Sequence, residues 1–466
     1  MLFLVTCDRQ VSDPRVAMVA GNPISLEDYQ AAYVDHLKHP TSFDSPEVRE
    51  AFLEEMVNRR LLSSEARKLG YDTIGVFQNR RAAYFNMCMR EAHYEQVIEP
   101  QIVISDSLVR EVFQYSKEKR HLKHLFILDS LWADSIYHWL GKGGSFNEAA
   151  QNLFQGTPGE NGGDLGWVRW EQLEYDLAMV AFRLQLGTYS QPVEGQFGWH
   201  IFQVLNTETN PLLPEQQFQL QRENMLTLLD TKMGESIANT EISNLMKQAN
   251  IQLHTDVAEQ FARVLGQIIP VAEPIDNILL TQTGLKEHEH LKLLDDLDPR
   301  STVILAEIDG IPFTLETAVY AISHVPRQIL LSGFKPTLDH LLRDELITRD
   351  AQSRQLGTPG TTAHSKARLW EESQLSRVFG KSLNAGIAIT SSELDSALAS
   401  TAPNALASAH LKQEVLRKLR IEKQTEVITS YRDSLWADAH VTTYPATVHK
   451  YYESILEDLP KTNKDI

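Results

Sequence analysis

Two short runs hold the residue types that could do chemistry in this chain: Asn161-Gly-Gly-Asp-Leu-Gly-Trp167 and Gly195-Gln-Phe-Gly-Trp-His-Ile-Phe-Gln-Val204. In the second, strand alternation puts His200, Phe202 and Val204 on one face and Trp199, Ile201 and Gln203 on the other. Another histidine, His124, shares a strand face with Leu122, Phe126 and Leu128. A lone imidazole on an apolar face is more often a satisfied core residue than a reactive one, but it is also the side chain best able to donate or accept a proton near neutrality. The first run packs three glycines into six positions, which suits a turn with φ > 0 leading into a strand. A phosphate-binding loop is not supported, because it would need a strand before the glycines, a helix after them and a Lys-Ser/Thr pair. The two cysteines, Cys7 and Cys88, lie 81 positions apart and supply neither a disulfide framework nor a metal site; Cys88 reads as a small core residue in an apolar helical run. No cofactor is implied.

The elements that must position these runs form a compact series. Residues 122–128 read as a strand, and 131–140 as a helix ending at Gly141. Ser145-Phe-Asn-Glu148 is a capping box opening a second helix, since Ser145 and Glu148 can each satisfy the other's free backbone N–H. A further helix covers 174–184 and stops at Gly187; Pro192-Val193 and 199–204 add a turn and a strand. This order describes a small α+β domain with an antiparallel sheet.

The flanking sequence is helical and repeats. Val19-Ala-Gly-Asn-Pro-Ile-Ser-Leu-Glu27 matches Ile308-Asp-Gly-Ile-Pro-Phe-Thr-Leu-Glu316 at an offset of 289: an apolar residue, a Gly-x-Pro turn and a capped helix start. At an offset of 285, Leu53, Met56, Val57, Leu61 and Leu62 fall on Leu338, Leu341, Leu342, Leu346 and Ile347, and Ile102-Val-Ile-Ser105 falls on Ile387-Ala-Ile-Thr390. Ala249-Asn-Ile-Gln-Leu253 resembles Ala439-His-Val-Thr-Thr443 at an offset of only 190, so the second copy lacks about 95 residues of the first. The missing residues include both glycine-rich runs. The expected fold is therefore a multidomain α+β protein, mostly helical modules in two copies, with an α+β domain inserted into the first. The expected boundaries are a start at 1–15, the first module at 16–118, the insert at 119–207, the rest of the first module at 208–256, a linker at 257–301, an uninterrupted second module at 302–456 and a tail at 457–466.

Composition narrows the function classes. The formal net charge is −18, with 44 Lys+Arg against 62 Asp+Glu and no basic run, which argues against nucleic-acid binding and favours neutral or basic partners. Met1-Leu-Phe-Leu-Val-Thr-Cys7 is too short for a membrane span and has no basic segment before it. It resembles the end of an export signal. Leu4-Val-Thr-Cys7 resembles the signal-peptidase box of bacterial lipoproteins, with Thr6 where Gly or Ala is usual. That implies Cys7 as a lipidation site and membrane association through it; a plain disordered start is the alternative.

The runs Asn161-Gly-Gly-Asp-Leu-Gly-Trp167, Ala181-Phe-Arg-Leu184, Gln191-Pro-Val193 and Gln196-Phe-Gly-Trp-His-Ile201, with His124-Leu-Phe-Ile127 before them, resemble the parvulin-type peptidyl-prolyl cis-trans isomerases in order and spacing. The likeness covers about 120–205. The flanking modules resemble the chaperone part of SurA-like extracytoplasmic foldases. The resemblance implies isomerisation of Xaa-Pro bonds in unfolded or newly exported polypeptides, an extracytoplasmic location, and no covalent step, metal or cofactor. By the same resemblance His124 and His200 would face each other beneath the site with Asp164 beside them, and Leu165, Leu173, Leu177 and Phe197 would line a proline pocket. One departure stands out: Gln155 and Gly156 occupy the stretch where the family usually has a cysteine or aspartate. Two other readings therefore stay open, a client-binding platform with little turnover and a scaffold for an envelope assembly. Monomer and dimer are equally compatible with the sequence.

Overall fold

The computed structural model describes residues 15–39, 41–153, 163–195, 198–209, 215–269, 285–298, 302–401 and 409–458. Cys7, Gln155, Gly156, Asn161 and Phe197 lie outside these residues. Among the described residues the protein is mostly helical, with three small antiparallel sheets. It opens with the hairpin β1 (Arg15–Val19) and β2 (Asn22–Ser25), then α1 (Leu26–Leu37), α2 (Pro46–Lys68), α3 (Gly75–His93) and α4 (Asp106–Tyr115). A central block follows: β3 (Glu118–Ile127), α5 (Ser130–Gly141), α6 (Phe146–Leu153), β4 (Asp164–Val168), α7 (Tyr175–Arg183), β5 (Val193–Gly195) and β6 (Gly198–Thr209). Next come α8 (Glu215–Gln248), β7 (Ile251–Leu253), α9 (Thr255–Ile268) and α10 (Glu287–Leu297). The second hairpin is β8 (Ile304–Ile308) and β9 (Ile311–Thr314), followed by α11 (Leu315–Ala321), α12 (Arg327–Leu331), α13 (Phe334–Ser353) and α14 (Thr362–Asn384). The chain closes with α15 (Ser391–Thr401), α16 (Ala409–Asp438), β10 (Thr442–Thr443) and α17 (Pro445–Asp458). No helix among the described residues is long and apolar enough to cross a membrane.

The repeated phrase has a physical cause. Both hairpins turn on two residues with positive φ, Ala20 (48°) with Gly21 (81°) and Asp309 (54°) with Gly310 (74°), as a twist-matched two-residue turn requires. Each hairpin then runs into a helix whose cap hydroxyl accepts a backbone N–H: Ser25 from Asp28 and Thr314 from Thr317.

The sequence copies are not the spatial units. In the first sheet β1 pairs with β2 on one side and with β10, from the far end of the chain, on the other: Ala17 lies opposite Thr443. In the third sheet β8 pairs with β9 and with β7, which precedes it: Ile251 lies opposite Ile308. Equivalent backbone bonds close both junctions, Ala20 N–H to the Ala439 carbonyl at 3.0 Å and Asp309 N–H to the Asn250 carbonyl at 2.9 Å. Each hairpin is thus completed by the last strand of the other copy, as in a swapped pair fused into one chain. The cores follow the exchange. Tyr29, Tyr33, Phe52 and Val57 pack with Val448 of α17, while Phe261 and Leu265 of α9 pack with Leu305, Phe313 and Leu341.

The stretch 257–301, expected as a linker, contains most of α9 and all of α10. Ala258, Phe261 and Leu265 are buried at helical spacing, and so are Leu293 and Leu297. The acidic residues around Leu293 and Leu297 masked that stripe in the sequence. Buried Arg327 anchors α10 further by donating to both carboxylate oxygens of Glu289, at 2.7 and 2.9 Å.

The insert enters and leaves at one place. Phe113 of α4 meets Phe218 of α8 edge-on with centroids 5.3 Å apart, and Arg110 donates to both Glu215 oxygens at 2.9 and 3.0 Å. From this pair the chain runs out along β3 and returns along β6, with Glu118 opposite Thr209. Adjacent ends are what an inserted domain needs.

The strand exchange predicts that residues 1–269 and 285–466, co-expressed as separate chains, purify together as a 1:1 complex, because each supplies strands the other lacks. Two fragments that elute separately and fold alone would contradict it.

Candidate functional site

The central sheet has the order β4-β3-β6-β5, all neighbours antiparallel. Its β3–β6 ladder sets His124 opposite Phe202 and Phe126 opposite His200, so the two histidines are diagonal neighbours on one face. Their rings stack with centroids 5.1 Å apart and planes 22° from parallel. Phe126 lies 5.3 Å from His200, and Phe202 lies 5.8 Å from His124. The buried residues Leu177, Ala178, Ala181 and Phe182 of α7 belong to the core on this side. The opposite face buries Leu125, Ile127 and Ile201 against Ala133 and Leu140 of α5 and Ala149 and Ala150 of α6.

Both imidazoles are neutral at physiological pH. Burial pushes His124 down to about 4. Burial, and then the like charge that His124 would carry, push His200 down to about 4 as well. His200 Nδ1 is buried with no hydrogen-bond partner among the described residues. The backbone of β5 passes directly over this ring: a Cβ at Gly195 would stand 2.9 Å from His200 Nε2 and 3.2 Å from Leu177 Cδ1. Gly195 is therefore the close approach that lets one hairpin roof both the histidine and the leucine.

The remaining expected site residues separate. Leu177 is 4% exposed and part of the domain core. Leu173 follows a short 3₁₀ turn, packs against the same core, and accepts a hydrogen bond at its carbonyl from Lys232 of α8. Leu165 is 42% exposed and is the unpaired residue of a bulge, since Leu122 pairs with Gly166 and Lys123 with Asp164. Asp164 does not reach the histidine pair. Being opposite Lys123 it belongs to the other face of the sheet, where its carboxylate accepts from His121 Nε2 at 2.7 Å and from the Gly166 N–H at 2.8 Å. Burial raises its pKa, but these two bonds outweigh that and leave it below the usual carboxylate range. Asp164 ties Gly166 of β4 and His121 to one carboxylate.

Three residues were not assigned to the site from the sequence. Alternation places Phe126 on the face of His124, and it proves to flank His200. His121 is partnered by Asp164 only through the bulge, which no periodicity announces. Ser190, 2% exposed, accepts the Phe202 N–H at 2.9 Å and so braces β6 behind the pair. As for cations, among the described residues His93, Glu241 and Asp350 bring ligand atoms within 4.8 Å of one another, but outside this sheet. There Asp350 Oδ2 already engages His93 Nε2 at 2.8 Å and Arg354 Nε at 2.6 Å, a polar network tying α3 to α13.

A family model for the PPIC-type PPIase domain, a rotamase, matches residues 132–206. The foldase protein PrsA of Bacillus subtilis is 27% identical over 161 residues, 34% of this chain and 53% of that protein. A parvulin-like PPIase of Rickettsia conorii is 24% identical over 225 residues, 47% of this chain and 77% of that one. Among solved structures, a SurA-like chaperone of Campylobacter jejuni aligns at 20% identity over 51% of this chain and 99% of its own, with a TM-score of 0.25. The chain spans about half the length of the Bacillus subtilis relative. It carries a PPIC-type parvulin domain homologous to that of the PrsA foldases.

The depressed histidines give a pH prediction with a definite sign. An unfolded chain takes up these protons near the ordinary histidine value of about 6.5, whereas the folded domain resists until about 4. Proton uptake therefore favours unfolding in that window, and stability present above about pH 6.5 is lost as pH falls towards 4. Ring-proton NMR should show His124 and His200 still neutral at about pH 5.5. Titration of both near the ordinary value would contradict the buried pair.

Proposed function

We propose that this protein is a peptidyl-prolyl cis-trans isomerase and foldase acting on unfolded or newly exported polypeptides outside the cytoplasm. The observation that carries this reading is the stacked, neutral His124–His200 pair on a sheet face that also holds Phe126 and Phe202, roofed by Gly195 and bordered by Leu177. No nucleophile is required for such a reaction. An Xaa-Pro bond must cross a barrier of about 18–20 kcal/mol that arises from amide resonance, and no covalent bond is broken.

The task is to bind the twisted amide better than the planar one. In the twisted state the prolyl nitrogen regains its lone pair and the carbonyl is no longer conjugated to it. A dry apolar pocket that holds the prolyl ring while the preceding residue turns lowers the barrier by positioning. Leu165, Leu173, Leu177 and Phe197 are the proposed pocket. His124 and His200 form its polar floor. As neutral rings they can hold hydrogen bonds without placing a charge beneath an apolar ligand. Asp164, proposed from the sequence as part of this machinery, serves as a positioning residue through Gly166 and His121.

The helical modules serve as the client-holding part, and the clients are unfolded or proline-containing chains rather than nucleic acid. The proposed extracytoplasmic location, with Cys7 as a lipid attachment point, rests on the first seven residues and on the PrsA likeness. One observation favours a second reading. Gln155 and Gly156 stand where a thiol or carboxylate is usual in the family, so a domain that grips proline with little turnover is the alternative.

Exchange NMR on an unstructured Xaa-Pro peptide separates the two. Added full-length protein should bring cis-trans exchange well below the uncatalysed tens to hundreds of seconds. Leu173→Ala should weaken peptide affinity by roughly tenfold, about the worth of removing one leucine from a prolyl contact. Exchange no faster than in buffer, with peptide still bound, would leave the binding reading alone standing.

A further inference from the structure

Beside the candidate site, a groove of about 1110 Å³ separates the parvulin domain from the C-terminal half of α8. One wall is the parvulin side: Leu128 and Asp129 before α5, Glu174 to Asp176 at the start of α7, and Glu194, Gly195, Gly198 and Trp199 of the β5–β6 hairpin. Asp230 to Lys247 of α8, with Tyr94, forms the other. Gly195 belongs to both places, because the glycine that roofs His200 also borders this groove. A polypeptide held at the edge of this hairpin would run along the groove.

The charge of the lining is one-sided. Six carboxylates line it: Asp129, Glu174, Asp176, Glu194, Asp230 and Glu235. Of its three cationic side chains, Lys232, Lys247 and half-buried Arg343, the two lysines are engaged at the walls. Lys247 pairs with Glu194 at 3.1 Å, and Lys232 donates to the Leu173 carbonyl while lying over the Trp170 ring. Asp230 and Glu235 are exposed and have no ion-pair partner among the described residues. The apolar rim residues are uncovered as well: Leu128 is 77% exposed, and Leu131 and Trp132 just beyond it are 75% and 53% exposed.

From this groove we infer that the protein selects Xaa-Pro segments with lysine or arginine close to the proline, the basic flank lying between the four carboxylates of the parvulin wall and Asp230 and Glu235 of α8. The inference rests on the isomerase reading and narrows its substrate class. Each exposed carboxylate contributes little alone, but several of one sign in a cleft raise the local concentration of a cationic ligand and guide its approach. Attraction of this kind weakens as salt shortens its range. It also discriminates against acidic segments, which would face a wall of like charge.

The test uses the full chain and three labelled unstructured peptides that share one Ala-Pro bond, flanked by lysine, serine or glutamate. Anisotropy at low salt should rank lysine above serine above glutamate, with lysine and glutamate about tenfold or more apart and the gap closing near 0.5 M salt. In the surface double variant D230N/E235Q, checked for an unchanged melting temperature, the lysine-to-glutamate gap should shrink at least threefold at low salt. Equal affinities for the lysine and glutamate peptides, or a gap that survives both salt and the double variant, would overturn the inference. Exchange NMR on the same peptides separates its failure from that of the isomerase reading. Acceleration that is equal for all three peptides sinks the groove and spares the isomerase. A lysine-selective affinity without acceleration sinks the isomerase and leaves the groove as a selective binding surface.

Discussion

The antiparallel ladder between β3 and β6 is the interaction on which the site depends. It runs from Glu118 opposite Thr209 to Ile127 opposite Trp199, and its register alone decides that His124 and His200 meet on one face. A slip of β6 by one residue would turn His200 to the face where Leu125 and Ile201 now pack and leave His124 behind. The slack is taken up by an extra residue in β6, where His121 pairs with Asn206 but Leu122 with Val204. Below that bulge the two strands form a stalk rooted on α4 and α8, so the ladder is both the frame of the site and the attachment of its domain.

The strand exchange constrains the attachment further. Helix α8 leads directly into β7, which the second hairpin claims, so one end of α8 is fixed in the core built around Phe261 and Leu341. Its C-terminal half faces the β5–β6 hairpin and the start of α7, where the Lys247–Glu194 pair and the Ser236–Asp176 hydrogen bond span the gap. The groove beside the histidines is thus walled by a helix whose position the exchange sets. Under the proposed foldase reading, this gives the strand exchange a role in shaping the client groove.

Much of the central domain was legible because its signals are local. The Ser145 cap, which accepts the Glu148 N–H, the glycine stops and the alternation around His124 and His200 each act within a few residues, and the corresponding elements form where those signals fall. The repeat was legible for the same reason, since a two-residue turn and a capped helix leave a fixed phrase. Pairing between distant strands leaves no such trace. Nothing in Thr442-Thr443 states that it will join β1 rather than the hairpin of its own copy. Asp164 illustrates the limit within the site: its place in the motif is evident, but its partner, His121, follows from a bulge at Leu165 that shifts the pairing by one. Helix α10 was hidden because acidic residues surround its buried leucines, and its burial depends on Arg327, 38 positions from Glu289.

The central claim is that a neutral, buried histidine pair supports rotation about the prolyl bond without proton transfer. The pH profile of catalysed cis-trans exchange, recorded on the full chain from about pH 5 to 8, tests it most directly. Both rings release their protons near 4, so acceleration should be present and flat across that range. An inflection near the ordinary histidine value of about 6.5, or no acceleration at any pH, would contradict it.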